Sequence, residues 1–195
     1  MGKRIVIIQG HPDPRGNHFC HALAEAYGQA ARGAGHELDT IDVAHLKFPL
    51  LRSAAEWQEE APSDAIRDAQ RKIASARHLV IVFPLWLGDL PALLKGFFEQ
   101  VLRPGFAIGR ARPGRLGGKL LKGKSARLIV TMGMPAFFYR LYYRAHSVRS
   151  LQRNVLEFCG ISPVRTSLIG TVETKAMGHR EIWMAKMAEL GREAE

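Results

Sequence analysis

Three short runs constrain this chain most: "RIVIIQ" at residues 4–9, "HLVIVF" at 78–83 and "ARLIVT" at 126–131. Each is almost continuously apolar and rich in β-branched residues. A strand with one face in water alternates, whereas these do not, so both of their faces are buried, which is the habit of strands inside a parallel sheet. Between them lie segments with helical spacing. Residues 18–32 place Leu23, Ala26, Tyr27 and Ala30 on one face. Residues 91–102 repeat Leu94, Phe98 and Leu102 at i+4, with Pro91 suited to the first helical position. Further helices are predicted at 63–76 with Ser63 as N-cap, at 147–158 with Gly160 as the stop, and at 179–190, ended near Gly191. The alternating "ELDTIDV" at 37–43 reads as an edge strand, and 163–170 as a fifth strand.

Strands that alternate with helices require one parallel sheet covered on both faces, an α/β fold. The crossovers are right-handed, and a loop of phosphate-binding type directly after the first strand favours the order 2-1-3-4-5. Residues 1–195 read as one domain, without repeats or linkers, and the length suits a single core. Long loops are expected at about 44–62 and 103–124.

Charge narrows the partners. The net charge is +10, yet residues 100–156 hold twelve Lys or Arg and no Asp or Glu, so the rest of the chain sums to −2. That field favours anionic partners such as phosphorylated cofactors, nucleic acid or lipid headgroups, against the alternative of a merely solvated surface. The basic residues lack interleaved aromatics and a helix-turn-helix pattern, so no nucleic-acid partner is expected. No apolar run is long enough to span a bilayer, and the short run after the basic start is no secretory signal. Cys20 and Cys159 belong to no CxxC pair, so structural thiols and a cytoplasmic location are expected, with no metal site.

In a sheet of this order ligands sit beyond the carboxyl ends of the strands, near the switch between strands one and three. Three loops lie there. "GHPDPRGNHFC" (10–20) contains neither a dinucleotide fingerprint nor a Walker loop. It enters a helix N-terminus, where free amides hold phosphate, with His11, Arg15, Gly16, Asn17 and Phe19 at hand and Asn17 able to cap the helix. A plain capped loop with a turn histidine is the alternative. "PLWLGDLP" (84–91) places Trp86 near the floor of the same cleft, either as a wall for a planar ligand or as a core residue. "TMGMPAFFY" (131–139) holds Gly133, which permits close approach to a ligand, with Tyr139 and His146 near the site. Tyr142 and Tyr143 read as packing or dimer residues.

Together these loops resemble those of the flavodoxin-like NAD(P)H:quinone oxidoreductases, the group that includes DT-diaphorase and the flavoprotein ancillary subunits of potassium-efflux systems. The resemblance covers nearly the whole chain and is strongest over "FPLWLGDLPALLKGFFEQV". It implies a flavodoxin-like doubly wound fold and a flavin, FMN or FAD, reduced by NAD(P)H and reoxidised by a quinone-like acceptor in ping-pong fashion. It assigns residues 10–20 to the flavin phosphate. Pro84, Leu85, Trp86 and Leu87, with Thr131, Met132 and Gly133, fall to the ring. Tyr139 matches the family tyrosine that assists charge on the reduced flavin, and His146 lies one residue later than its usual histidine partner. Leu87-Gly88 stands where the family often has two aromatics, and Asp89 is unusual beside a quinone site. The resemblance further implies a homodimer, and as an alternative a regulatory flavoprotein subunit of a membrane potassium-efflux transporter. Arg110, Arg112 and Arg115 are candidates for favouring NADPH through its 2′-phosphate, or for solubility and interface roles.

Overall fold

A computed structural model describes residues 2–58, 62–110, 117–173 and 178–195. Five strands, β1 (Arg4–Gln9), β2 (Glu37–Asp42), β3 (His78–Pro84), β4 (Ser125–Thr131) and β5 (Val164–Ile169), form one parallel sheet in the order β2-β1-β3-β4-β5. The expected order is therefore the observed one. In the registers Ile7↔Val80 and Ile81↔Leu128 the three apolar runs lie side by side at the centre.

Period-two alternation sends each run to both faces. Val6, Ile8, Leu79, Ile81, Leu128 and Val130 meet one helical layer, which includes α3 (Asp64–Ser75) and α4 (Ala92–Val101). Ile5, Ile7, Val80, Val82 and Ile129 meet the other layer, α1 (Phe19–Gly33) and α8 (His179–Glu193). Both faces of β3 are buried throughout, which explains its unbroken apolar sequence.

Several local expectations change. Helix α1 begins at Phe19 with His18 in the N-cap place and no side-chain cap, so Asn17 does not cap it. Pro91 is the N-cap of α4 rather than its first residue: its φ of −57° suits either place, and its ψ of 142° leaves it extended. Ser63 holds the N-cap place of α3, but its hydroxyl makes no cap bond. Helix α8 runs on past Gly191 to Glu193, because Gly191 is a packing residue and not a stop.

The long helix expected at 147–158 is three pieces: α6 (His146–Ser150), a π-helical turn (Leu151–Leu156) and α7 (Glu157–Cys159), closed by Gly160 at φ 105°. The buried residues Val148, Leu151, Leu156 and Cys159 explain the wide turn. Leu151 and Leu156 are five apart, a spacing that a π turn aligns and an α-helix does not. The two long loops hold further short elements, a 3₁₀ turn (Val43–His45) and α2 (Ala54–Gln58) in the first and two isolated bridges at Ile108 in the second. Helix α5 (Ala136–Leu141) follows β4. Among the described residues no helix is long and apolar enough to cross a membrane.

Candidate functional site

The three loops singled out in the sequence converge at the carboxyl ends of β1, β3 and β4. Backbone bonds tie their roots together: Gly10 N–H donates to Val82 O at 2.7 Å, Leu85 N–H to Thr131 O at 2.7 Å and Met132 N–H to Ile169 O at 2.8 Å. Gly10 is required where it stands, since a Cβ there would lie 2.6 Å from Leu94 Cδ2 and 3.1 Å from Val82 O. Thr131 Oγ1 is 3.1 Å from Cys20 Sγ, which fixes the start of α1 to the end of β4. Burial pushes the Cys20 thiol up to about 12, so this cysteine is structural, as expected.

The first loop is held by charge. Asp13 receives the Arg15 guanidinium and the His18 imidazole, the latter at 2.9 Å. Hydrogen bonds from Arg15 and then from its backbone hold the Asp13 carboxyl well below the usual range. His11 stacks on His18 with centroids 3.9 Å apart, and His21 lies 5.4 Å from His11. Burial, then the two neighbouring imidazoles, push His11 down to about 4. His11 is therefore neutral at pH 7. Its Nδ1 accepts the Asp13 N–H at 3.2 Å, so the proton sits on Nε2, which is left as a donor. Gly16 has a φ of 74° and open space around it, and the first-turn amides of α1 carry no side-chain cap. Free amides at such a helix start can receive an anion. A groove of about 580 Å³ continues from Gly16, Asn17 and Phe19 to Arg180 and Met184 on α8, with the Arg180 guanidinium 5.3 Å above the Phe19 ring.

The second loop is a two-residue hairpin turn. Trp86 and Asp89 exchange both backbone bonds, at 2.9 and 3.0 Å, and Leu87 and Gly88 both have positive φ, 49° and 80°. Two positive angles in succession are the signature of a type I′ turn. Trp86 is half exposed, with its ring edge-on to His11 at 5.9 Å, so it is a wall of the cleft and not a core residue. Leu87 is fully exposed in a conformation that costs a branched side chain about 1 kcal/mol or more. Leu87→Asn, which gives the favoured Asn-Gly pair, is expected to stabilise the protein by about 1 kcal/mol. An unchanged or lower melting temperature would show that the turn stores no strain.

The third loop divides its residues. Met132 is buried in the core, while Gly133 is exposed beside Glu173, whose Oε1 would lie 3.5 Å from an added Cβ. Tyr139 is buried, and its hydroxyl is 2.7 Å from Ser147 Oγ. His146 is exposed and opens α6. The partner of Tyr139 is thus Ser147, eight residues on, a spacing that belongs to no regular element. Two left-handed residues, Arg144 and Ala145, make the turn that brings it back. Sequence reading missed Ser147, and it missed Asp13, His18, His21 and Arg180. The Asp13–Arg15 pair alone left a local signal, as an Asx-type turn in a loop rich in Pro and Gly. Arg110 is exposed, and Arg112 and Arg115 lie outside the described residues.

A family model for the flavodoxin-like fold matches residues 3–190. The chain is 35% identical over 183 residues to the ribosyldihydronicotinamide dehydrogenase (quinone) of Pongo abelii, covering 82% of this chain and 78% of that protein. Among solved structures it is similar to an NAD(P)H:quinone oxidoreductase from Methanothermobacter marburgensis, with a TM-score of 0.82 at 23% identity and full coverage of both chains. It is also similar to an FMN-dependent NADH-azoreductase from Bacillus anthracis in complex with FMN, with a TM-score of 0.76 at 17% identity, covering 100% and 99% of the two chains. The match over almost the whole length and the quinone-dehydrogenase relative lead to one assignment: the chain belongs to the flavodoxin-like family of NAD(P)H:quinone oxidoreductases.

Proposed function

We propose that this protein is a flavin-dependent NAD(P)H oxidoreductase that reduces a quinone-like small molecule. One observation carries the reading: an uncapped helix start, a neutral His11 with a free Nε2–H, and a half-exposed indole meet at the ends of β1 and β3. The residues fit a flavin. The amides of residues 16–20, with His11, Arg15, Asn17 and Phe19 around them, suit a phosphate, and the Pro84–Leu87 and Thr131–Gly133 segments offer amides and apolar surface to a flat ring. The groove toward Arg180 leaves open space beyond the phosphate loop, and the flavin is FMN or FAD. When bound, a flavin would supply the redox chemistry, hydride acceptance from NAD(P)H and two-electron delivery to the acceptor in a ping-pong cycle.

The chain's own part is placement and charge. Asp13 holds Arg15 and His18 at the loop. The strained turn of Leu87 presents Trp86 to the cleft. The Tyr139 hydroxyl, fixed by Ser147, would hold a proton for the reduced ring, and the exposed His146 at the start of α6 is a second polar group on the same segment. The family resemblance supports a homodimer, and the two cysteines outside any CxxC pair support a cytoplasmic location.

The decisive experiment is reconstitution with excess FMN and with excess FAD, followed by absorbance and by mass spectrometry of the released chromophore. A preparation with no visible flavin band would overturn the proposal. Tyr139→Phe is expected to retain its flavin and to slow turnover about tenfold, the size of one lost hydrogen bond. Wild-type rates of flavin reduction by both nucleotides would remove Tyr139 from the chemistry and leave it in the core.

A further inference from the structure

The amino-terminal ends of the strands lie at the opposite end of the sheet from the three loops. The sheet face covered by α1 and α8 is apolar at its centre, through Val80, Val82, Ile129 and Ile169. Toward the strand starts the same face turns polar. The registers His78↔Ser125, Val80↔Arg127 and Arg127↔Arg165 place His78, Ser125, Arg127 and Arg165 on it. Arg127 and Arg165 are thus cross-strand neighbours, and like charges in such a pair are destabilising. Lys3, ahead of β1, and Glu195, after α8, close a cavity of about 160 Å³ that His78, Ser125 and Arg165 also line. Its charge is unbalanced. The side chains of Lys3, Arg127 and Arg165 all act on His78, and Glu195, which pairs with Arg165, is the carboxylate that opposes them. Glu193 acts on Arg127 more weakly than Glu195 does. Other donors are met by oxygens of the main chain and of serine: Arg127 Nε donates to the Glu195 backbone oxygen at 2.6 Å, Arg127 Nη1 to Ser167 Oγ at 3.0 Å and Lys3 Nζ to Ala194 O at 3.1 Å. His78 is only 2% exposed. Its Nδ1 lies 2.8 Å from Ser125 Oγ, and its Nε2 is buried with no protein partner.

We propose that this cavity binds a small inorganic oxyanion of the phosphate or sulfate type, held by the His78 imidazole from within and by Lys3 and Arg165 at the rim. A serine hydroxyl accepts as readily as it donates, so Ser125 leaves His78 free to carry its proton on Nε2 as a donor. A buried donor without an acceptor is destabilising, and buried polar groups in native proteins find a partner. Water alone would meet the N–H but would leave the cations unmatched. An anion does both, and it relieves the repulsion between Arg127 and Arg165. The volume sets the class of ligand, since a cavity of about 160 Å³ is smaller than the pockets that enclose nucleotide-sized molecules. Glu195 competes for the same guanidinium, so the entering anion takes Arg165 from it or shares it. The site and the flavin loops lie at opposite ends of the strands, and the proposal does not rest on the oxidoreductase reading.

Histidine side-chain NMR of the flavin-loaded protein tests the proposal, with sodium phosphate or sulfate titrated against chloride at constant ionic strength. Flavin keeps the phosphate loop occupied. In a preparation that takes up no flavin, the His11 and His21 signals report that loop separately, so the two sites are read apart. His78→Gln identifies the His78 signals, which are expected to move with phosphate and to saturate. Lys3→Gln and Arg165→Gln should each weaken binding about tenfold, the size of one charge-assisted contact. Both side chains are exposed, so both variants should fold. Glu195→Gln should tighten binding, because it removes the competing carboxylate. His78 signals indifferent to phosphate and to sulfate would overturn the proposal and leave a cavity that holds water only. Saturation of equal strength in the wild type and in both cation variants would also overturn it, by placing the anion elsewhere.

Discussion

Acidification from neutral pH to about pH 4 is expected to remove roughly 3 kcal/mol of stability through one buried imidazole. His78 opens β3 at the end of the sheet away from the cleft. Burial, then the charges of Lys3, Arg127 and Arg165, push it down to about 4, and Glu195 opposes them only weakly. Its Nδ1 lies 2.8 Å from Ser125 Oγ, while Nε2 is buried with no protein partner. The unfolded chain takes up this proton near pH 6.5, whereas the folded protein holds it off until about pH 4. Within that window the unfolded state binds more protons, so stability falls as pH falls, by about 1.4 kcal/mol per unit. Above the window the contribution is complete and flat. His11, also pushed down to about 4, acts in the same direction at the other end of the sheet. A phosphate bound beside it would raise its pKa again, so the flavin-loaded protein should show the shallower slope. Urea midpoints across the window measure the effect. His78→Gln should flatten the pH dependence, whatever it does to stability at pH 7. A variant as steep as the wild type would assign the slope to other groups.

Gly191→Val is expected to cost about 3 kcal/mol, the upper end of what an overpacked contact costs. Helices α1 and α8 touch through their backbones at this point. A Cβ on Gly191 would lie 2.2 Å from the Tyr27 carbonyl oxygen and 3.0 Å from its carbon. No rotamer relieves a clash with a peptide group, so the helices must part. The consequence reaches function, because α1 carries the loop proposed for phosphate and α8 carries Arg180 and Met184 across the groove. Flavin affinity should therefore fall together with the melting temperature. Gly33→Ala is the control: it lies on the same helix α1, with nothing within 4 Å of an added Cβ, and should gain about 0.5 kcal/mol. A Gly191→Val protein as stable as the wild type would mean that the two helices slide apart at no cost.

Much of this protein is legible without coordinates. The runs that became β1, β3 and β4 could be read from composition, since burial on both faces leaves room for little but apolar side chains. Edge strand β2 could be read from its alternation, and the loops of the site from their position after the strands. The failures are also physical. Helix α1 starts one residue too late for Asn17 to cap it, and α4 starts one residue after the Pro91 expected to open it, because connection geometry overrules a preference worth about 1 kcal/mol. The π turn at Leu151–Leu156 satisfies a burial pattern that no single helical period describes. Trp86 has the same residue identity whether it is core or wall, and the positive φ of Leu87 decided between them.

The sequence by itself thus determined the sheet, its order and the end of it where a ligand belongs, because those depend on periodicity and composition over many residues. Only the tertiary structure decided that Ser147 and not His146 holds the Tyr139 hydroxyl, and that Asp13 gathers Arg15 and His18. Each of these is set by the direction of a few side chains after a turn. A turn of two left-handed residues moves a hydroxyl by several ångströms while leaving no periodic trace in the chain.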